Sequence, residues 1–118
     1  MRTIWKYELY IEPVVTVAMP KGAKILPHVD IVSQEVNHFV IWAEVDDQQP
    51  MEDRILNVFG TGHEIPAHKQ LDHIGTFRLR FLYWHVFERN HRRERMLAEN
   101  LEALKAEVDK WSKTRSQR

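Results

Sequence analysis

Hydrophobicity in this chain keeps a period of two along most of its length and shifts to a period near 3.5 only in the last 30 residues. That shift constrains the fold more than any single motif. A period of two places alternate side chains on the two faces of a strand, whereas a period of 3.5 to 3.6 gathers them on one side of a helix. In "TIWKYELYI", Trp5, Tyr7, Leu9 and Ile11 fall on one face and Lys6, Glu8 and Tyr10 on the other, as in a half-buried strand. Pro13 ends it. "VVTVAM" is β-branched and strand-like, and "PKG" then forms a turn. "AKILPHVDIV" is extended again, and Pro27, which has no N–H for a ladder, assigns it to an edge or a bulge. "NHFVIWAEVD" is apolar on both faces and marks a central strand. "RILNVF" is a short strand ending at Gly60. The last strand is "TFRLRFLYWHVFE", where Phe77, Leu79 and Phe81 oppose Arg78 and Arg80 before both faces turn apolar from Leu82.

Asn90 then caps a helix running to about Lys113. Leu97, Leu101, Leu104, Val108 and Trp111 are spaced 4, 3, 4 and 3, the seam of a coiled coil over about two heptads. The stripe fits either a homodimer seam or one amphipathic helix lying across the sheet. Strands first and helix last give an α+β fold: about six antiparallel strands over 1–88, as an open sheet or small barrel, then a charged helix over 89–118. That helix is either part of the same compact unit or a dimerisation arm.

With no cysteine, the chain has no disulfide, thiol nucleophile or thiolate metal site. No apolar run reaches the roughly 18 residues of a membrane span, and the alternating N-terminus is not a signal peptide. These features read as a soluble, cytosolic protein with no membrane partner. The formal net charge is zero but uneven: residues 1–88 hold 8 Lys+Arg against 12 Asp+Glu, and residues 89–118 hold 9 against 5. A basic tail of this kind suits an acidic or nucleic-acid partner, docking on its own acidic body, or plain solvation.

Between Gly60 and Gly75 no period holds, and irregular stretches this long are often functional. The stretch opens with "NVFGTGHEI". A phosphate loop needs a lysine, a hydroxyl residue and a helix after its last glycine. Here His63 follows Gly62 and Pro66 comes soon after, so a sharp turn is the better reading. His63, Glu64, His68, Asp72 and His73 crowd the same stretch, and His85 lies in the next strand. These are ligand types for zinc or iron, but the spacing is not HExxH and requires no metal. His85 beside His63 and Glu64 would make a general acid/base pair, yet no Ser or Cys nucleophile motif accompanies them. "ERNHRRER" sets Arg89, Arg92, Arg93 and Arg95 at the helix start, where cations oppose the macrodipole. Such a cluster can grip phosphates or an acidic protein surface. No strand carries the aromatic pattern of an RNA-binding sheet, so nucleic acid is not the favoured partner.

Several landmarks occur in order: "IWKYEL", "VAMPKGAKIL", "VIWAEVDD", "FGTGHEI", "HIGTF" and "WHVFE". The series resembles a family of small bacteriophage- and prophage-encoded proteins of unknown function, over about Ile4 to Glu88. Matching positions include Met19, Pro20, Gly22, Ala23, Trp42, Gly60, Thr61, Gly62, His63, Gly75, Thr76, Trp84, His85, Phe87 and Glu88. The resemblance implies a strand-rich, phage-associated protein of the host cytoplasm and carries over no catalytic residue, metal or cofactor. The charged helix departs from it.

The expectation is a non-catalytic binding protein that inhibits a bacterial defence component by covering a surface of a host protein or nucleoprotein complex. Its contacts are expected at Gly60, Thr61, Gly62, His63, Glu64, His68, His73, Arg89, Arg92, Arg93 and Arg95. The alternatives are a small-molecule or nucleotide-handling protein, possibly metal-assisted, built on His63, Glu64, His68, His73 and His85, and a phage structural or assembly accessory using the helical seam.

Overall fold

The computed structural model of the chain describes residues 1–116, with side chains through Ser112; the end of the expected 89–118 segment lies outside the described residues. Seven strands precede one helix: β1 (Arg2–Tyr10), β2 (Val14–Pro20), β3 (Lys24–Ile31), β4 (His38–Asp46), β5 (Met51–Gly60), β6 (Leu71–Leu79), β7 (Leu82–Arg89) and α1 (His91–Ser116). They form two open sheets, ordered β1-β4-β3 and β2-β5-β7-β6, and every pairing is antiparallel. The α+β class expected from the change of period is the class observed.

β4 is the central strand of its sheet, which explains its two apolar faces: Phe39, Ile41, Ala43 and Val45 are buried on one, and Val40 on the other. β3 is an edge strand, and its ladder shifts register between Ile25 and Val29, around Pro27. Val15, Val17 and Met19 of β2, Leu56 and Val58 of β5 and Val86 of β7 face the first sheet's inner residues. The Phe39 and Phe77 rings stack across the gap with centroids 5.7 Å apart.

Two of the expected boundaries are corrected. The final strand is a hairpin of two strands, so there are seven and not about six. In addition, β6 begins at Leu71, inside the stretch expected to be irregular as far as Gly75. A register shift between His73 and Gly75 breaks the period of two and hides the strand from a pattern reading. Gly75 also marks where the sheets touch without hydrogen bonding: a Cβ there would lie 2.7 Å from Val29 Cγ2 and 3.2 Å from the Val29 backbone nitrogen.

One ion pair sits on the core side. Arg54 lies opposite Val17 and Glu88 opposite Leu56, so both point inward. Arg54 donates through Nε and Nη2 to the Glu88 carboxylate, and through Nη1 to the Ala23 carbonyl at 2.7 Å. Removing either partner strands a charge inside the fold, at a cost on the order of 3 kcal/mol. The Glu88 carboxylate raises the Arg54 pKa further still above its ordinary value.

The helix does not lie across a sheet. Its residues from Arg95 through Ser112 are all exposed, and the stripe residues Leu97, Leu101, Leu104, Val108 and Trp111 remain 49%, 54%, 59%, 55% and 67% exposed.

Candidate functional site

The Gly60 stretch folds as a tight turn. β5 ends at Gly60, opposite Trp84 of β7. Gly62 takes φ +92°, a left-handed conformation that a side chain would strain. His63 then folds back: its N–H donates to the Gly60 carbonyl at 3.0 Å, and the Gly60 N–H donates to His63 Nδ1 at 3.0 Å. A ring nitrogen that accepts is unprotonated, which puts the imidazole proton on Nε2. The ring packs edge-on against Trp84 at 5.9 Å. A Cβ at residue 60 would come within 2.9 Å of that ring, so Gly60 makes room for His63.

His85 is elsewhere. Trp84 and His85 are consecutive on a strand and therefore point to opposite faces. On the outer face of the four-stranded sheet, His85 Nε2 meets Thr61 Oγ1 at 2.8 Å and His85 Nδ1 meets Thr76 Oγ1 at 2.9 Å. Thr76 Oγ1 in turn meets His73 Nε2 at 3.1 Å. The His73 ring packs on Phe87 at 5.1 Å, and Phe87 on Phe59 at 5.9 Å. The structure thus joins His73, Thr76, His85 and Thr61 in one polar chain. It puts His63 on the Trp84 side and leaves Glu64 and His68 exposed on the irregular segment between β5 and β6. The acid/base pairing of His63 with His85 does not form. Among the described residues, no three His, Asp or Glu side chains are placed to hold a metal ion.

The four arginines divide into two pairs. Arg89 Nε donates to Glu94 at 3.0 and 3.1 Å. Arg93 pairs with Asp72 at 2.9 Å and donates to Gln70 Oε1 and to the Leu71 carbonyl. Asn90 caps the helix as expected: its Oδ1 accepts from the Arg93 N–H at 2.8 Å. Its own N–H donates to the Gln70 carbonyl at 2.7 Å. Burial acts to raise the Glu94 carboxyl, but hydrogen bonds from Arg89 and from the Gln70 N–H outweigh it and hold the pKa below the ordinary value of 4.5. Arg93 therefore fastens the first helical turn to the start of β6, and Arg89 ties it to the end of β7. Arg92 and Arg95 remain exposed.

A further feature went unnoticed in the sequence. β6 and β7 are joined by a two-residue turn, Arg80–Phe81, closed by the Leu79–Leu82 pair. Such turns need positive φ and normally carry Gly, Asn or Asp. Here Arg80 takes φ 56°, the only positive φ at a non-glycine among the described residues. A clamp holds it: the Arg80 N–H donates to Gln34 Oε1, Gln34 Nε2 donates to the Arg78 carbonyl at 3.3 Å, and Arg78 Nε donates to the Arg80 carbonyl at 3.0 Å. Phe81 at the tip is 93% exposed, followed by Leu82 at 57% and Tyr83 at 53%. Beside the tip lies a cleft of about 360 Å³ lined by Ile11, Leu79, Leu82 and Trp84, among others. Alternation had grouped Phe81 with Phe77 and Leu79. Its exposure corrects that grouping, and the visible signal was the loss of alternation at Leu82.

No helix of the described chain is long and apolar enough to cross a membrane. A family model described as Domain of unknown function (DUF7352) matches residues 1–96, which take in all seven strands and the first turns of the helix. No curated protein matches the chain. No solved structure matches it either.

Proposed function

The chain belongs to the DUF7352 family, a domain of unknown function, and from that premise we propose that it is a non-catalytic binding protein whose β6–β7 turn enters an apolar pocket on a protein partner. The observation that carries this reading is Phe81: a large aromatic side chain 93% exposed on a turn held in a strained conformation. Strain of this kind persists only where the surroundings over-determine it, and it concentrates at functional sites. The clamp from Gln34 fixes the tip before binding, which reduces the ordering cost of association. A rigid aromatic beside Arg78 and Arg80 is the composition of an interface hot spot, and two cations there favour a partner whose pocket has an acidic rim.

The finer setting in this proposal is a phage protein that blocks a bacterial defence component in the host cytoplasm. It rests on the resemblance of the ordered landmarks to phage and prophage proteins. The test is affinity capture from bacterial lysate with the wild type and Phe81→Asp side by side. A specific partner should be captured by the wild type and lost at least tenfold with the variant. Equal capture by both would remove the turn from the account.

A further inference from the structure

We propose that α1 pairs with α1 of a second copy of this chain, parallel and in register, along Leu97, Leu101, Leu104, Val108 and Trp111. This interaction lies outside the matched family region, which ends at residue 96, and is independent of the Phe81 surface. The helix has 26 residues, about 39 Å at 1.5 Å per residue. A helix in a protein draws most of its stability from packing an apolar face, yet every one of these five side chains is about half or more exposed.

The occupant follows from the spacing. Steps of 4, 3, 4 and 3 drift by only about 20° per heptad on a straight helix, and a 3.5-residue supercoil of two helices removes that drift. The chain's own sheets leave the stripe exposed, and a helix with the same repeat matches it knob for hole; a second copy supplies that helix by identity. Leu97, Leu104 and Trp111 take the d positions, and Leu101 and Val108 the a positions. Val108 at a, with Leu97 and Leu104 at d, follows the pattern that suits two strands. Two facing stripes would remove on the order of 1,000 Å² of surface, the amount at which a specific interface becomes sustainable.

Direction follows from the count of layers. In parallel register each of the five residues meets its equal. A reversed helix matches a with d and leaves an end residue unmatched; in one such register Trp111 falls opposite Glu94. The parallel flanks bring Lys105 beside Asn100 and Ser112 beside Glu107 of the second copy, so no like charges face each other. The two bodies then sit at the same end of the pair, related by a twofold axis.

Sedimentation equilibrium of the full chain tests this. The mass should rise with concentration toward twice the 14.1 kDa of one chain. Leu101→Asp combined with Leu104→Asp should return it to one chain while the strand signal and the thermal transition of the body stay unchanged. Glu102→Gln, on the outer side of the helix, should leave the dimer intact. The chain has no cysteine, so Trp111→Cys reports direction: a mild oxidant should link equal positions across the parallel pair. A wild type that stays at one chain at its highest attainable concentration overturns the proposal, and so does a dimer that survives the double aspartate variant. A dimer that fails to cross-link through residue 111 overturns the parallel arrangement.

Discussion

A methyl group at residue 75 would sit 2.7 Å from Val29 Cγ2 and 3.2 Å from the Val29 backbone nitrogen, and a backbone cannot swing aside as a side-chain tip can. Gly75→Ala should therefore push β6 from β3 and cost about 1–3 kcal/mol, read as a lower midpoint in urea unfolding; an unchanged midpoint would mean that the sheets do not touch there. Arg80 makes the opposite case. Its left-handed backbone costs roughly 1–2 kcal/mol for a residue with a Cβ, and glycine gives part of that back by losing more chain entropy on folding. Arg80→Gly should leave the protein as stable as the wild type or up to about 1 kcal/mol more so. A clear loss of stability would show that the arginine side chain holds the turn. Residue types alone pointed to a turn at Gly60–Gly62. They could not reveal that of Arg80, because its conformation depends on Gln34, distant in sequence.

β1 was legible because one alternating period ran from end to end, and β4 because an apolar run on both faces is the mark of a central strand. β6 was legible only from Thr76, because the register shift before Gly75 moves the inward residues of its first half out of phase. The helix was legible to within a few residues from Asn90 and the stripe, but its direction from the body was not, since that is set by contacts with Gln70, Leu71 and Asp72. That attachment has a pH dependence. The Glu94 carboxyl is held below 4.5 in the folded chain, so its stabilising contribution is complete above 4.5 and is lost as the pH falls through the folded value. Acidification below that point should loosen the first helical turn from β6 and lower the protection factor of the Gln70 amide, its exchange rate taken relative to an unstructured amide at the same pH, since its N–H donates to Glu94. Glu94→Gln should show a lower protection factor there at neutral pH and less further loss on acidification. Identical pH profiles for the two proteins would contradict the role given to Glu94.

Across the whole molecule, the residues expected to share one site divide among several surfaces. His63 closes a turn against Trp84, while His73 and His85 lie on an outer sheet face. Arg89 and Arg93 secure the helix, and Arg92 and Arg95 face solvent. Clustering in sequence did not become clustering in space, because adjacent strand residues point to opposite faces. The tip at Phe81 gathers its neighbours from three places in the chain: Ile11 before β2, Gln34 and Asn37 between β3 and β4, and Trp84 in β7. Only the folded chain brings them together. The central claim is that this end of the molecule is the one that binds. Hydrogen–deuterium exchange of the chain alone and with its captured partner tests it most directly. Protection should centre on Leu79–Tyr83 and the Gln34 segment and leave residues 63–68 unchanged. Protection confined to residues 61–70 or to the arginines of the helix start, with no change at Leu79–Tyr83, would contradict it.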